Sequence, residues 1–130
     1  MTPITQLATG SFKRSLERDL VSGAVTSAMA CEGGFFGVDG TYAIDPIGLE
    51  ITHTLDRRYT IHDDDPLCAS ADFDQSLAMV RGDWRVRVDI RTRQWSSADH
   101  IHHEAEVDAW HGEEKISSRR WSEKFRRKLL

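Results

Sequence analysis

The stretch Trp84-Arg85-Val86-Arg87-Val88-Asp89-Ile90-Arg91 alternates apolar and charged side chains without a break. Successive side chains of a strand point to opposite sides, so Trp84, Val86, Val88 and Ile90 share one face and Arg85, Arg87, Asp89 and Arg91 the other. A helix would scatter the four apolar residues around its circumference. The octet therefore reads as a strand with one buried face. Just before it, Ala69, Ala71, Phe73, Leu77 and Met79 share a face opposed by Ser70, Asp72, Asp74 and Ser76. Val80-Arg81-Gly82-Asp83 lies between as a short Gly-containing turn, which pairs the two stretches as an antiparallel hairpin.

The same period extends outward. Ile101, His103, Ala105, Val107 and Ala109 alternate with His102, Glu104, Glu106 and Asp108, after a turn at Ser96-Ser97-Ala98-Asp99. His111-Gly112-Glu113-Glu114 turns into a weaker strand near Lys115 to Lys124. Upstream, Leu49, Ile51, His53, Leu55, Tyr59 and Ile61 hold the odd positions of a long strand. It is expected to end at Asp63-Asp64-Asp65-Pro66, where proline removes a ladder donor. Phe12 to Leu20 and Ala24 to Cys31 flank Ser22-Gly23 as a further hairpin. Glu32-Gly33-Gly34 and Asp39-Gly40 bracket Phe35-Phe36 as a loop or short edge piece. The expected fold is all-β: an antiparallel up-and-down meander of about six to eight strands, closed into a barrel or a two-layer sandwich. A short C-terminal helix is expected where Trp121, Phe125 and Leu129 sit four apart. Residues 1–130 form one domain, with residues 1–10 a flexible lead.

Composition agrees with one globular domain of 130 residues, 39% hydrophobic and 29% charged. No apolar run approaches the ~18 residues of a membrane span. The first dozen residues lack the basic start and apolar run of a secretory signal, so the expected location is the cytoplasm. There Cys31 and Cys68, in no metal-ligand spacing, are reduced small apolar side chains. The net charge of −4 gives no global reason to expect nucleic acid. Charge is uneven: seven Lys/Arg and one acid, Glu123, leave +6 from Lys115 onward, against −10 before it.

The segment Arg58-Tyr59-Thr60-Ile61-His62-Asp63-Asp64-Asp65-Pro66-Leu67-Cys68-Ala69 resembles a passage near the end of the cocaine-esterase-like (CocE/NonD) serine hydrolases, relatives of the Xaa-Pro dipeptidyl-peptidases. The resemblance continues through Leu16 to Gly23, Arg81 to Val88, Ala98 to His102, Asp108 to Gly112 and Arg120-Trp121, covering roughly residues 12 to 130. It implies a terminal β region without the α/β-hydrolase domain that carries that family's Gly-x-Ser-x-Gly nucleophile elbow. No such elbow occurs here, so no catalytic residue carries over. Where the family tends to end on Pro-Arg-Asp, this chain has Phe125-Arg126-Arg127-Lys128. The implied role is a non-catalytic accessory domain that docks on a hydrolase catalytic chain or on itself.

Several side chains invite a more specific chemistry. Tyr59, Phe73, Trp84, His103 and Trp121 fall on the apolar side of their strands. They would line a cavity for a small apolar ligand if the sheet closed as a barrel, which is the alternative function. His100, His102, Glu104 and Glu106 share a strand face at a spacing that can ligate a metal. One strand leaves such a site short of ligands, so no metal and no cofactor is expected. Asp63-Asp64-Asp65 lacks the spacing of a calcium loop and reads as a turn. Arg81-Gly82-Asp83, although it matches an adhesion tripeptide, reads as a hairpin turn. Arg85, Arg87, Arg91 and Arg93, with Trp95 and Trp110, can bind phosphates and stack on bases. Pairing with Asp72, Asp74, Glu104, Glu106 and Asp108 on neighbouring strands is the simpler account, and nucleic acid is not expected.

Overall fold

The computed structural model describes residues 3–35 and 38–128. Alternation becomes ten strands: β1 (Ile4–Ala8), β2 (Phe12–Arg18), β3 (Ala24–Phe35), β4 (Val38–Asp39), β5 (Thr41–Ile44), β6 (Leu49–His62), β7 (Asp65–Arg81), β8 (Trp84–Ser96), β9 (His100–His111) and β10 (Glu114–Arg126). Each pairs antiparallel with its neighbours. The central meander β6-β7-β8-β9-β10 follows chain order. Three of its hairpins close at two-residue loops: His62 faces Asp65 across Asp63-Asp64, Arg81 faces Trp84 across Gly82-Asp83, and His111 faces Glu114 across Gly112-Glu113. The left-handed φ of Gly82 (58°) and Gly112 (60°) suits such loops, whose twist must match that of the strands.

On its other side β6 serves two partners. Leu49, Glu50 and Ile51 pair with β5, while Thr54 to His62 pair with β3. The sheet forks there into an arm β5-β1 and an arm β3-β2. Tyr42 (0% exposed) and Ile51 (5%), directly paired across the fork, are the buried hydrophobic side chains among the described residues. Burial there pushes the Tyr42 phenol pKa up.

The all-β expectation holds, with four differences. The sheet stays open: β10 pairs only with β9 and β2 only with β3, so no barrel closes among the described strands. The C-terminal helix does not form, because Trp121 and Phe125 lie in β10, opposite Ala105 and Ile101; Leu129 lies outside the described residues. The flexible lead is instead partly strand, since Ile4 and Thr5 of β1 pair with Ile44 and Ala43. Pro66 does not end pairing. It falls in an irregular step between the pairs His62–Asp65 and Thr60–Ser70, after which β7 runs on to Arg81. The loop or short edge piece expected around Phe35-Phe36 takes the second form: β3 runs to Phe35, and the two-residue β4 follows at Val38–Asp39; Phe36 lies outside the described residues. Among the described residues no helix is long and apolar enough to cross a membrane.

Gly40 locks the fork. Its φ is +76°, and a Cβ there would sit 2.0 Å from the Ala8 carbonyl oxygen and 2.6 Å from the Gly10 nitrogen. Both obstacles are backbone and cannot swing aside. Gly82, by contrast, has open space around it. Gly40→Ala should therefore cost about 3 kcal/mol or more and Gly82→Ala about 1 kcal/mol in urea unfolding. Equal losses would show that the fork is not held at Gly40.

Candidate functional site

Register turns the alternating pattern into two different faces, one carrying most of the large apolar side chains with Arg14, Arg57 and Arg119 among them, the other mainly charged. On the first, cross-strand rows run through seven strands. One row is Phe12, Cys31, Leu55, Gln75, Ile90, Val107 and Arg119; the next is Arg14, Met29, Arg57, Phe73, Thr92, Ala105 and Trp121. At the fork this face is closed over Ile51, which pairs with Met79 and is 5% exposed. Large apolar side chains stand out from it: Leu16 is 74% exposed, Phe125 53%, Tyr59 48%, Trp121 47% and Ile61 44%.

All five residues expected to bind a ligand occupy this face, but not one enclosed cavity. Because the sheet is open, four of them line three separate open grooves. Tyr59 meets Phe73 edge-on, with ring centroids 5.5 Å apart. Phe73 and Trp121 line a groove of about 420 Å³ that passes Thr92 and Ala105. Tyr59 lines another, of about 530 Å³, with Leu16, Ile61 and Ile101. Trp84 lies apart, beside Ile47, Leu49 and Arg81. His103 sits in register between Gln94 and Glu123.

The opposite face is a charge ladder. Arg91 reaches Asp74 at 3.0 Å, Arg93 reaches Asp72 at 3.4 Å, Arg87 reaches Asp89 at 3.1 Å and Arg120 reaches Glu106 at 2.9 Å. Arg91–Asp74 and Arg93–Asp72 are cross-strand pairs of the kind read from the sequence, whereas Arg87–Asp89 lies within β8 and Glu106 is taken by Arg120 of β10. Solvent screening keeps such exposed pairs weak. Asp74 strengthens the hold of Arg91 on its proton. A polar groove of about 460 Å³ runs along this face past Thr54, Asp56, Ser76 and Asp108. Its tryptophan rings are already occupied. Arg87 and Lys115 lie 5.0 and 5.1 Å from the Trp110 ring centroid. Trp95 carries Arg93 at 5.0 Å and stacks on His102 at 4.9 Å. The bases of a nucleic acid would have to displace these partners.

His100, His102, Glu104 and Glu106 do share the polar face. Among the described residues no group of three or more His, Cys, Asp or Glu side chains is arranged to hold a metal ion. Ser97, Asp99 and His100 cluster in the β8–β9 turn, but in an order unsuited to nucleophilic catalysis. Ser97 Oγ donates to Asp99 Oδ1 at 3.3 Å, and His100 Nδ1 meets the same oxygen at 2.9 Å. The imidazole, which would take the serine proton in a triad, is not its acceptor. The His100 contact also holds the Asp99 carboxyl below its usual range, making it a poor base. Cys31 and Cys68 are free thiols, and a hydrogen bond with Asp65 pushes the Cys68 pKa up.

Sequence reasoning missed Arg127. Its Nη1 donates to the carbonyls of Ser97 (2.8 Å) and Leu67 (3.1 Å), and its backbone N–H donates to Asp99 O (2.8 Å). It thereby fastens the chain beyond β10 to the ends of β7 and β8. Only its place after the last alternating residue hinted at this. Comparison with protein-family models, curated proteins and solved structures finds no match to this chain.

On the polar face Asp108 accepts a 2.6 Å bond from Ser118 Oγ, with Lys115 3.8 Å away. The Ser118 bond first, then the nearby cations, hold its carboxyl below the ordinary carboxylate range. A carboxylate pKa depressed in the folded state adds stability above the unfolded value of about 3.9. That stability is lost as pH falls through the folded value. Ser118→Ala should move the Asp108 titration, followed by carboxyl NMR, upward toward its ordinary position. An unmoved midpoint would show that the bond does not form in solution.

Proposed function

We propose that this chain is a non-catalytic accessory domain of the cytoplasm that works by docking its apolar sheet face on another protein surface. One observation carries this reading: a face built across seven strands presents Leu16, Tyr59, Ile61, Trp121 and Phe125 to water. A sheet normally buries its apolar face against another layer, and contiguous exposed apolar patches mark interaction sites. The resemblance to the terminal β region of CocE/NonD hydrolases supports an accessory role beside a hydrolase catalytic chain or another copy of the domain. The alternative, a small apolar-ligand binder, loses its enclosing barrel; only open grooves remain for a ligand.

Assembly should remove Trp121 and Trp84, now 47% and 44% exposed, from water. Tryptophan emission should therefore shift to the blue as the purified chain is concentrated from nanomolar to 100 micromolar, or is titrated with a hydrolase catalytic chain. The chain alone should show no turnover of p-nitrophenyl esters. Emission constant under both conditions, or ester turnover by the chain alone, would overturn the reading.

A further inference from the structure

We propose that the occupant of the apolar face is a second copy of this chain, the two open sheets packing face to face as the layers of one sandwich. The inference rests on the docking reading above and deepens it by naming the partner.

Area is the first support. The chain exposes 9352 Å² at a mass of 14.8 kDa. A compact monomer of that mass exposes about 7,000 Å². The excess, roughly 2,400 Å² per chain, amounts to nearly 5,000 Å² over two copies, within the range of obligate homodimer interfaces.

The second support is that the face complements itself. In the path β2-β3-β6-β7-β8-β9-β10, β7 is the middle strand. A two-fold axis along β7 exchanges β2 with β10, β3 with β9 and β6 with β8, and keeps each cross-strand row facing its own copy. On this face β2 presents Phe12, Arg14, Leu16 and Arg18, while β10 presents Arg119, Trp121, Glu123 and Phe125 in the matching rows. Phe12 then faces Arg119, Arg14 faces Trp121 and Arg18 faces Phe125. Glu123 comes opposite Leu16, between the two β2 arginines. Cations meet aromatic faces and an acid meets cations, the pairings that an isologous contact needs. Toward the centre, Leu55 faces Ile90 and Cys31 faces Val107, which is apolar against apolar.

Light scattering on the purified chain at 1–100 micromolar should return the mass of two copies of the 14.8 kDa chain. Trp121→Lys sets a cation against Arg14 of the other copy and should raise the dimer dissociation constant about 100-fold. Adding Arg14→Glu should recover at least about tenfold of that loss, because the new charges attract. Far-UV circular dichroism should show strands retained, both residues lying on edge strands. Should Trp121→Lys unfold the chain, Gln75→Cys with Cys31→Ser and Cys68→Ser gives an independent reading. Gln75 lies on the axis, and facing sheets stand about 10 Å apart, so a short bismaleimide should link the two copies. A folded Trp121→Lys that dimerises normally, or a Gln75→Cys chain that does not cross-link, overturns the proposal. A monomer at every concentration also overturns it. If that monomer's tryptophan emission still shifts with a hydrolase catalytic chain, the docking reading survives; if it responds to neither, both fall.

Discussion

The antiparallel ladder from β6 through β9 is the constraint on which the rest of this molecule depends. Among the described residues only Tyr42 and Ile51 are buried hydrophobics, so packing alone does not define the fold. The backbone pairing does. It runs without a register break from Glu50–Val80 to Thr60–Ser70, and again through all of β7–β8 and β8–β9. A slip of one residue in any of these strands would send every side chain to the opposite face. The separation into an apolar side and a charge ladder is thus a property of the register.

Much of that ladder was legible in the sequence, because alternation is a local signal. Trp84 to Arg91 declares its pleat without reference to any other segment; Gly82 marks the loop before it, and Gly112 the loop between β9 and β10. The features that were not legible depend on distant partners. The fork at β6 requires that Ile51 take Tyr42 and Leu55 take Cys31, a division that no local pattern announces. Trp121 and Phe125, four apart, fit a helical stripe as well as a strand; the pairing of β10 with β9 decided for the strand. Pro66 lacks a donor, yet the irregular step after His62 lets the ladder resume beyond it.

The site divides in the same way. Parity along each strand was enough to put Tyr59, Phe73, Trp84, His103 and Trp121 on one face. It could not say which of them meet, because that depends on the offset between hairpins and on whether the sheet closes. Phe73 and Trp121 share a groove only because small side chains, Thr92 and Ala105, stand between them in the row. Arg127 was invisible for another reason: it acts through carbonyl groups of Leu67 and Ser97, which carry no sequence signature.

The terminal strand, β10, borders the sheet with a row of backbone groups that no described strand pairs. Such a border can template the addition of foreign strands and grow into fibres. Lys115, Arg119, Arg120, Lys124 and Arg126 decorate it on both sides of the pleat. Copies adding border to border would pile cation upon cation. Unchecked polymerisation is therefore opposed by electrostatic repulsion, and that safeguard weakens as ionic strength rises.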